Sequence, residues 1–196
     1  MNEGIRLFVG LGNPGTNYEC TRHNAGRWFI KQLLNKYNAS NIKKGKQGYY
    51  TDFQAHPDQK VYCFESEKYM NECGQSISAF AKFHKIEPHQ ILVAYDEMDL
   101  SPGSIRLKLG GGSSGHNGLK DCKRHIHTAD FYRLRIGVGR CAFSADAANY
   151  VLSSPRSTER EKIDAVIENA CYYADCLING KMDEFMNELH QINHGV

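Results

Sequence analysis

Two residues from distant parts of the chain have the types needed for acid–base chemistry. His23 lies in a long polar loop, GLGNPGTNYECTRHNAG, and Asp96 directly follows the apolar run ILVAY. A carboxylate that accepts a hydrogen bond from imidazole Nδ1 leaves Nε2 unprotonated, so the ring can act as a general base. The pair therefore predicts a base-catalysed reaction. The alternative is that His23 is an incidental loop residue and that Asp96 or Asp99 only caps a turn.

Two glycine-rich segments flank these residues in the sequence. The first, GLGNPG, matches GxGxxG, but Pro14 and further polar residues separate it from helical spacing, which disfavours a dinucleotide site. The second, LGGGSSGHNGLK, lacks the spacing of a Walker loop. Its glycines, placed before a helix, would present backbone N–H groups to an anion or a developing oxyanion. Its histidine, His116, is a second base, a metal ligand or an ordinary loop residue.

A zinc site made of His23, His116 and Asp96 is an alternative, but no HExxH or similar local pair supports it, and we expect no metal or other cofactor.

The seven cysteines are irregularly spaced and contain no CxxC pair, which indicates free thiols in a reducing compartment. The chain starts without the pattern of a signal peptide and contains no apolar run long enough to cross a bilayer. We therefore expect a cytoplasmic protein.

The chain carries a net charge of +2, but that charge is unevenly distributed. Residues 104–140 hold eight Lys or Arg and only two Asp, which gives this segment +6 and the remainder −4. Two predicted strands within the segment each place two cations on one face: Arg106 with Lys108, and Arg133 with Arg135. Such a pattern is typical of a surface that binds a polyanion, although a merely solvated face gives the same pattern.

The periodicity of apolar residues predicts a single α/β domain over residues 1–196. We expect a mixed, twisted sheet covered by helices on both faces, and a pair of helices at the C-terminus. A capping box at Thr158…Glu161 would start the first of that pair, and Gly180 would end it. The predicted strands are 5–11, 49–55, 60–65, 91–95, 104–109 and 132–138, with a hairpin turn at His56-Pro57-Asp58; the other predicted helices lie near residues 29–37, 77–84 and 118–126.

Taken together, these segments resemble the bacterial-type peptidyl-tRNA hydrolase family. The resemblance covers essentially the whole chain and is highly specific only when its motifs are combined. The motifs are VGLGNPGTNY, TRHNAG, YMN at 69–71, AYDEMDLSPG at 94–103, KLGGGSSGHNGLKD at 108–121 and FYRLRIGVGR at 131–140. Members of this family hydrolyse the ester bond between an N-blocked peptide and the 3′ end of tRNA, and so recycle peptidyl-tRNA that ribosomes have dropped.

The resemblance implies a role for each matching residue. His23 would be the base, and Asp96 would orient it. Asn13 and Asn117 would act beside them in catalysis. The substrate-binding residues would be Tyr18, Met70, Asn71 and His116, and the cations that bind the tRNA phosphate would be Lys108 and Arg135 with their neighbours Arg106 and Arg133. The partner would be peptidyl-tRNA, contacted at its CCA end and 5′ phosphate region by a monomeric protein that does not bind membranes.

Two other classes of function remain open from the sequence. A non-catalytic RNA-binding domain would account for the basic segment and would leave His23 and Asp96 without a chemical role. A metal-dependent amidase or nucleosidase-like enzyme would use a similar sheet. Hydrolysis of an N-acetyl-aminoacyl-tRNA separates the first class from the family reading, and sensitivity to chelators separates the second.

Overall fold

Seven strands form one mixed sheet in the computed structural model, which describes residues 3–57, 59–141 and 144–193. The strand order is β2-β3-β4-β1-β5-β7-β6. Pairing is parallel between β1 and β4, β1 and β5, and β5 and β7, and antiparallel between the other neighbours. The strands are β1 Leu7–Gly10, β2 Lys43–Lys44, β3 Gly48–His56, β4 Gln59–Ser66, β5 Ile91–Glu97, β6 Ile105–Leu109 and β7 Tyr132–Gly137.

Helices cover both faces of this sheet, so the predicted fold class is confirmed. On one face α1 and α5 pack against the central strands through residues such as Phe29 and Ile163. On the other face α2 and α3 pack through residues such as Ile77 and Leu119. The helices are α1 Ala25–Lys36, α2 Cys73–Phe83, α3 Asn117–Ile126, α4 Ala147–Val151, α5 Ser157–Tyr172, α6 Ala174–Ile178 and α7 Met182–Asn193.

The apolar pattern of each strand follows from its place in the sheet. Every residue of β5 is buried, because this strand has neighbours on both sides and helices above and below. The outermost strand, β6, alternates instead: Ile105 and Leu107 are buried, while Arg106 and Lys108 face outward. The catalytic candidate Asp96 thus lies near the end of the most enclosed strand.

Two expectations for the C-terminal helices were wrong. The capping interaction at the start of α5 is not Thr158…Glu161, because the helix begins at Ser157 and Glu159 accepts the backbone N–H of Arg156 at 2.9 Å. The expected helix pair is three helices, since the backbone leaves helical geometry at Tyr173 between α5 and α6. The apolar spacing continues through this break, so the sequence pattern does not reveal it.

The remaining differences are at the edges of elements. Strand β2 has only two residues, both lysines, and its sequence carries no strand pattern. Strands β3 and β4 form the expected antiparallel pair. Part of the predicted turn between them, Asp58, lies outside the described residues. The short helix α4, which the sequence did not predict either, becomes important at the candidate site.

Candidate active site

The side chains of His23 and Asp96 are in direct contact. His23 lies in a 3₁₀ turn, Arg22–Asn24, immediately before α1, while Asp96 lies in β5. The Nδ1 atom of His23 is 2.9 Å from one carboxylate oxygen of Asp96 and 3.0 Å from the other. The Asp96 side chain is 1% exposed and that of His23 is 13% exposed. A buried carboxylate therefore orients an imidazole whose other nitrogen, Nε2, is available for chemistry.

A second imidazole shares the same carboxylate. His116 places Nε2 3.0 Å from Oδ1 of Asp96, and its Nδ1 accepts the backbone N–H of Leu119 at 3.3 Å. Because Nδ1 accepts, the proton of a neutral His116 lies on Nε2 and is donated to Asp96. The expectation that His116 lies in the cleft wall is therefore incomplete, since this residue also holds the carboxylate that orients His23.

The two histidines also set the charge state of Asp96. Burial by itself would raise the pKa of the Asp96 carboxyl, because burial disfavours the charged form. The electrostatic attraction of His116 and His23 and their hydrogen bonds outweigh burial, and they hold that pKa well below its usual range. Asp96 is therefore a carboxylate throughout the neutral range and acts as an acceptor for both rings.

Close backbone contacts place His23 against the sheet. A Cβ atom added to Gly26 would lie 2.2 Å from the carbonyl oxygen of Ala94, and one added to Gly10 would lie 2.6 Å from the carbonyl oxygen of Gly26. Only glycine permits the start of α1 to approach β1 and β5 this closely. The glycines of GLGNPG and HNAG therefore serve packing, and the distance from His23 to Asp96 follows from that packing.

Asn13 is fixed by the loop that follows β4. Its Oδ1 atom accepts the backbone N–H of Met70 at 2.9 Å, which directs the amide nitrogen of Asn13 toward the cleft. Its backbone N–H and carbonyl are both bound by the side chain of Asn24, at 2.9 and 3.0 Å. The other two asparagines, Asn71 and Asn117, are exposed and line the same cleft. Asn13 is thus a rigid donor, whereas the other two amides face open space.

The cleft around these groups has a volume of about 630 Å³. Its lining includes polar residues and an apolar group that comes largely from the segment around α4. Met70 lines the cleft as expected, but Tyr18 does not; its ring packs edge-on against Tyr69, which does. The sequence analysis missed several lining residues, namely Tyr69, Tyr95, Glu97, Met98, Ser113, Ser114, Gly115, Ala145, Ala147, Ala148, Val151 and Leu152.

The same cluster has the composition of a metal site. His23, Asp96 and His116 each offer one ligand atom, and these atoms lie within 4.8 Å of one another. Binding a metal through Nε2 of His116 would break its hydrogen bond to Asp96 and would require the ring to lose its Nε2 proton. The hydrogen-bonded arrangement fits an orienting carboxylate better than it fits a ligand set.

The four cations of β6 and β7 occupy different environments. Arg106 and Lys108 are exposed on β6. Arg135 is half-buried, and its Nε donates to Glu97 at 3.0 Å. Arg133 is 2% exposed, and its guanidinium donates to backbone carbonyls of the glycine-rich loop. The expectation that Arg133 joins the phosphate-binding cations does not fit its burial, because its guanidinium is occupied by the glycine-rich loop.

Comparisons with known proteins point to one family over almost the whole chain. A family model described as peptidyl-tRNA hydrolase matches residues 7–195. The crystal structure of peptidyl-tRNA hydrolase from Acinetobacter baumannii is similar at a TM-score of 0.91, with 40% sequence identity over 96% of each chain. A crystal structure of peptidyl-tRNA hydrolase in complex with N-propanol is similar at 0.90, with 41% identity over 94% of each chain. In the described part of the chain, no helix has the length and apolar content that crossing a bilayer requires.

Proposed function

Because the chain belongs to the peptidyl-tRNA hydrolase family, we propose that it cuts the ester of peptidyl-tRNA with a water molecule activated by His23. The observation that carries this mechanism is the contact of 2.9 Å between Nδ1 of His23 and the buried carboxylate of Asp96. That contact assigns the Nδ1 proton of the neutral ring and leaves Nε2 as the base. Nε2 then takes a proton from water as the water oxygen attacks the ester carbonyl.

The proton balance of the reaction needs no other reagent. Attack by water gives a tetrahedral intermediate, with one proton on Nε2 of His23. Collapse of the intermediate expels the 3′ oxygen of the tRNA, and this oxygen takes the proton from Nε2 of His23. The products are a peptide with a free carboxyl group and a tRNA with a free hydroxyl. Asp96 remains ionised throughout and stabilises the imidazolium while it exists.

The asparagines supply donors and acceptors around the reacting carbonyl. The amide nitrogen of Asn13 is directed into the cleft by the Met70 backbone and suits the oxyanion or the attacking water. Asn117 follows His116 in the same wall and assists the same step. Asn71 pairs with the amide of the peptide itself. Such pairing favours N-blocked substrates, because the charged amine of a free aminoacyl ester does not match it.

The basic residues hold the other part of the substrate. Lys108 and Arg135, together with Arg106, bind phosphate near the 5′ end of the tRNA, and the cleft receives its CCA end. Cations that bind phosphate release counterions from the tRNA. This release is less favourable at high salt concentration, so the affinity falls as salt is added. The protein acts as a cytoplasmic monomer that recycles peptidyl-tRNA, and it needs no metal or other cofactor.

The replacement His23→Ala tests the proposed base. We expect kcat on an N-acetyl-aminoacyl-tRNA to fall by about 10²–10⁴-fold, the usual contribution of a general base, with KM nearly unchanged. His89→Ala is the matched control, since this exposed histidine contacts Glu3 and does not line the cleft. A fall of less than about tenfold for His23→Ala would mean that another group is the base.

A separate measurement tests the absence of a metal. We expect turnover to be unchanged after dialysis against a strong chelator, and the metal content of the active protein to be far below one ion per chain. The cluster of His23, Asp96 and His116 is the place where an ion would bind. Loss of turnover in chelator, restored by a divalent cation, would replace the proposed mechanism with one in which an ion activates the water.

A further inference from the structure

Arg133 is a buried cation whose charge the proposed mechanism does not use. In the part of the chain that the structure describes, it is the largest of the fully buried side chains, and it lies on β7 between β5 and β6. Among the described residues no carboxylate pairs with it, and burial lowers the pKa of its guanidinium. A buried charge without an opposite charge is costly, so its retention needs a reason in what it contacts.

The guanidinium of Arg133 binds two successive carbonyl groups of the glycine-rich loop. One terminal nitrogen donates to the carbonyl of Gly111 at 2.8 Å, and the other donates to that of Gly112. The carbon of the guanidinium also lies 4.9 Å from the centre of the Phe131 ring, within the range of a cation–π contact. Arg133 therefore sets both the position and the orientation of this peptide unit.

The segment that Arg133 holds leads directly to the catalytic cluster. Gly111 and Ser114 have positive φ values of 104° and 45°, so the loop adopts a backbone shape that few residues support without external contacts. The backbone N–H of His116 then donates to the carbonyl of Ser113 at 2.8 Å. His116 is the N-cap residue that precedes α3, and it donates to Asp96. One short run of backbone thus connects the guanidinium to the carboxylate that orients His23.

We propose that Arg133 is a positioning residue for the hydrolysis, which sets the glycine-rich loop so that His116 and Asn117 reach the catalytic cluster, and that it is not a phosphate contact. The proposal rests on the mechanism given above. It gives two cations of the same strand different tasks, because Arg135 binds the substrate while Arg133 organises the cleft. It also explains why an arginine is needed, since only its planar fork matches two carbonyl groups at once.

A substrate without the tRNA body separates the two tasks. We use an N-acetyl-aminoacyl ester of the trinucleotide CCA, which keeps the ester but lacks the 5′ phosphate region. For Arg133→Met we expect kcat on this ester to fall by about 10–10²-fold, because a small displacement of a catalytic group has an effect of this size. The matched control is Arg6→Met, since Arg6 also donates to a backbone carbonyl, that of Lys85 at 3.2 Å, but lies outside the cleft.

Arg133→Lys keeps the charge and removes the fork. If the side chain positions the loop, this variant also loses kcat on the short ester, because one ammonium group cannot hold both carbonyls in the same geometry. If the side chain were a phosphate contact, Arg133→Lys would retain turnover of the short ester, and both variants would differ from the parent only in KM and salt dependence on full-length peptidyl-tRNA. That result would overturn the proposal.

Two further measurements distinguish positioning from a general loss of stability. Added guanidinium ion, at concentrations far below those that unfold proteins, should restore part of the kcat of Arg133→Ala, and it should not change the parent protein. The imidazole ¹⁵N and ¹H signals of His116 should shift in folded Arg133→Lys, because its bond to Asp96 changes. An unchanged His116 signal together with a reduced kcat would overturn the proposal.

Failure of the proposed base and failure of the positioning role give different experimental results. If His23→Ala retains turnover, the general-base mechanism fails, and the Arg133 variants then report on a different reaction centre. If His23→Ala abolishes turnover while Arg133→Met and Arg133→Lys match the parent on the short ester, the base is correct and the positioning role is wrong. If Arg133→Met does not fold, Arg133→Lys and rescue of Arg133→Ala still decide the question.

Discussion

The catalytic cleft and the basic edge of the sheet are built in contrasting ways. The cleft brings together single polar residues from distant segments, and the three at its centre are tied to one another, with Asp96 accepting from His23 and His116. The edge formed by β6 and β7 carries four cations in regular alternation on adjacent strands. Although the four cations alternate regularly in the sequence, their environments differ. Two of them are exposed, one is paired with Glu97 and one is buried.

The difference shows what alternation in a strand does and does not determine. Alternation fixes which residues share a side of a strand. It does not say what covers that side. β6 is the last strand of the sheet, so its cations face outward, whereas β7 lies inside the sheet under the glycine-rich loop. We therefore expect changes in the cleft to act on kcat and changes at the outer edge to act on KM, and the following predictions test that division.

The largest effect is expected for Asp96→Asn. The amide that replaces the carboxylate cannot accept from both imidazoles with the same strength, and it permits the wrong tautomer of His23. We expect kcat to fall by about 10²–10⁴-fold, with little change in KM. Steady-state kinetics on N-acetyl-aminoacyl-tRNA measures both. Asp99→Asn is the control, because this exposed carboxylate pairs with Arg140 outside the cluster. A change confined to KM would contradict the expected division between cleft residues, which act on kcat, and residues of the outer edge, which act on KM.

A smaller effect is expected for Lys108→Ala at the outer edge. Loss of one phosphate contact should raise KM for full-length substrate and reduce the slope of log affinity against log salt by about 0.7–0.9. Turnover of the short CCA ester should not change. Affinity measured over a range of salt concentrations checks the slope. An unchanged slope would show that Lys108 does not contact phosphate, whatever happens to KM.

A weaker effect in the opposite direction is expected when Arg135 is released from its partner. Glu97 accepts from Nε of Arg135 at 3.0 Å and from the hydroxyl of Tyr95 at 3.3 Å. Glu97→Gln removes the competing charge, so Arg135 should bind substrate phosphate more strongly, with a lower KM at low salt. Arg135→Ala should raise KM. If both variants raise KM equally, the ion pair itself positions Arg135 and is not a competitor of the substrate.

The smallest effect concerns stability at acidic pH. The pKa of Asp96 is lower in the folded protein than the value of about 3.9 expected after unfolding. A depressed folded pKa stabilises the protein fully above the unfolded value, and this stabilisation is lost as the pH falls below it. The difference in unfolding free energy between the parent and Asp96→Asn should therefore decrease as the pH falls below about 4. Urea denaturation at a series of pH values measures it.

The sequence predicted which residues meet in the cleft better than it predicted the shape of the cleft. His23, Asp96 and Asn13 lie together as expected, because each is next to a glycine-rich turn or at the end of an apolar strand. The pattern could not show that His116 shares Asp96, since that contact depends on the path of a loop with several positive φ values. Nor could it show the apolar wall near α4, because a five-residue helix carries too little periodicity to be seen.

Local sequence patterns also could not predict the different environments of the cations or the break in the C-terminal helices. Arg133 and Arg135 occupy equivalent positions in the alternating strand pattern, and the tertiary position of the loop distinguishes them. The break at Tyr173 leaves the apolar stripe intact, so three helices have the pattern of two. The mixed sheet and the layers of the fold followed from element types, whereas the environment of each charge depended on contacts between segments far apart in the chain.

The contact between Gly26 and the carbonyl oxygen of Ala94 has a consequence for motion. Because main chain touches main chain there, the backbone that carries His23 can move away from β5 only if the start of α1 detaches from the middle of the sheet. Such a movement disrupts the core and approaches global unfolding in cost. Amide hydrogens at the start of α1 and in β5 should therefore exchange with solvent at similar, very slow rates, and the proton-transfer geometry should persist on heating until the domain melts.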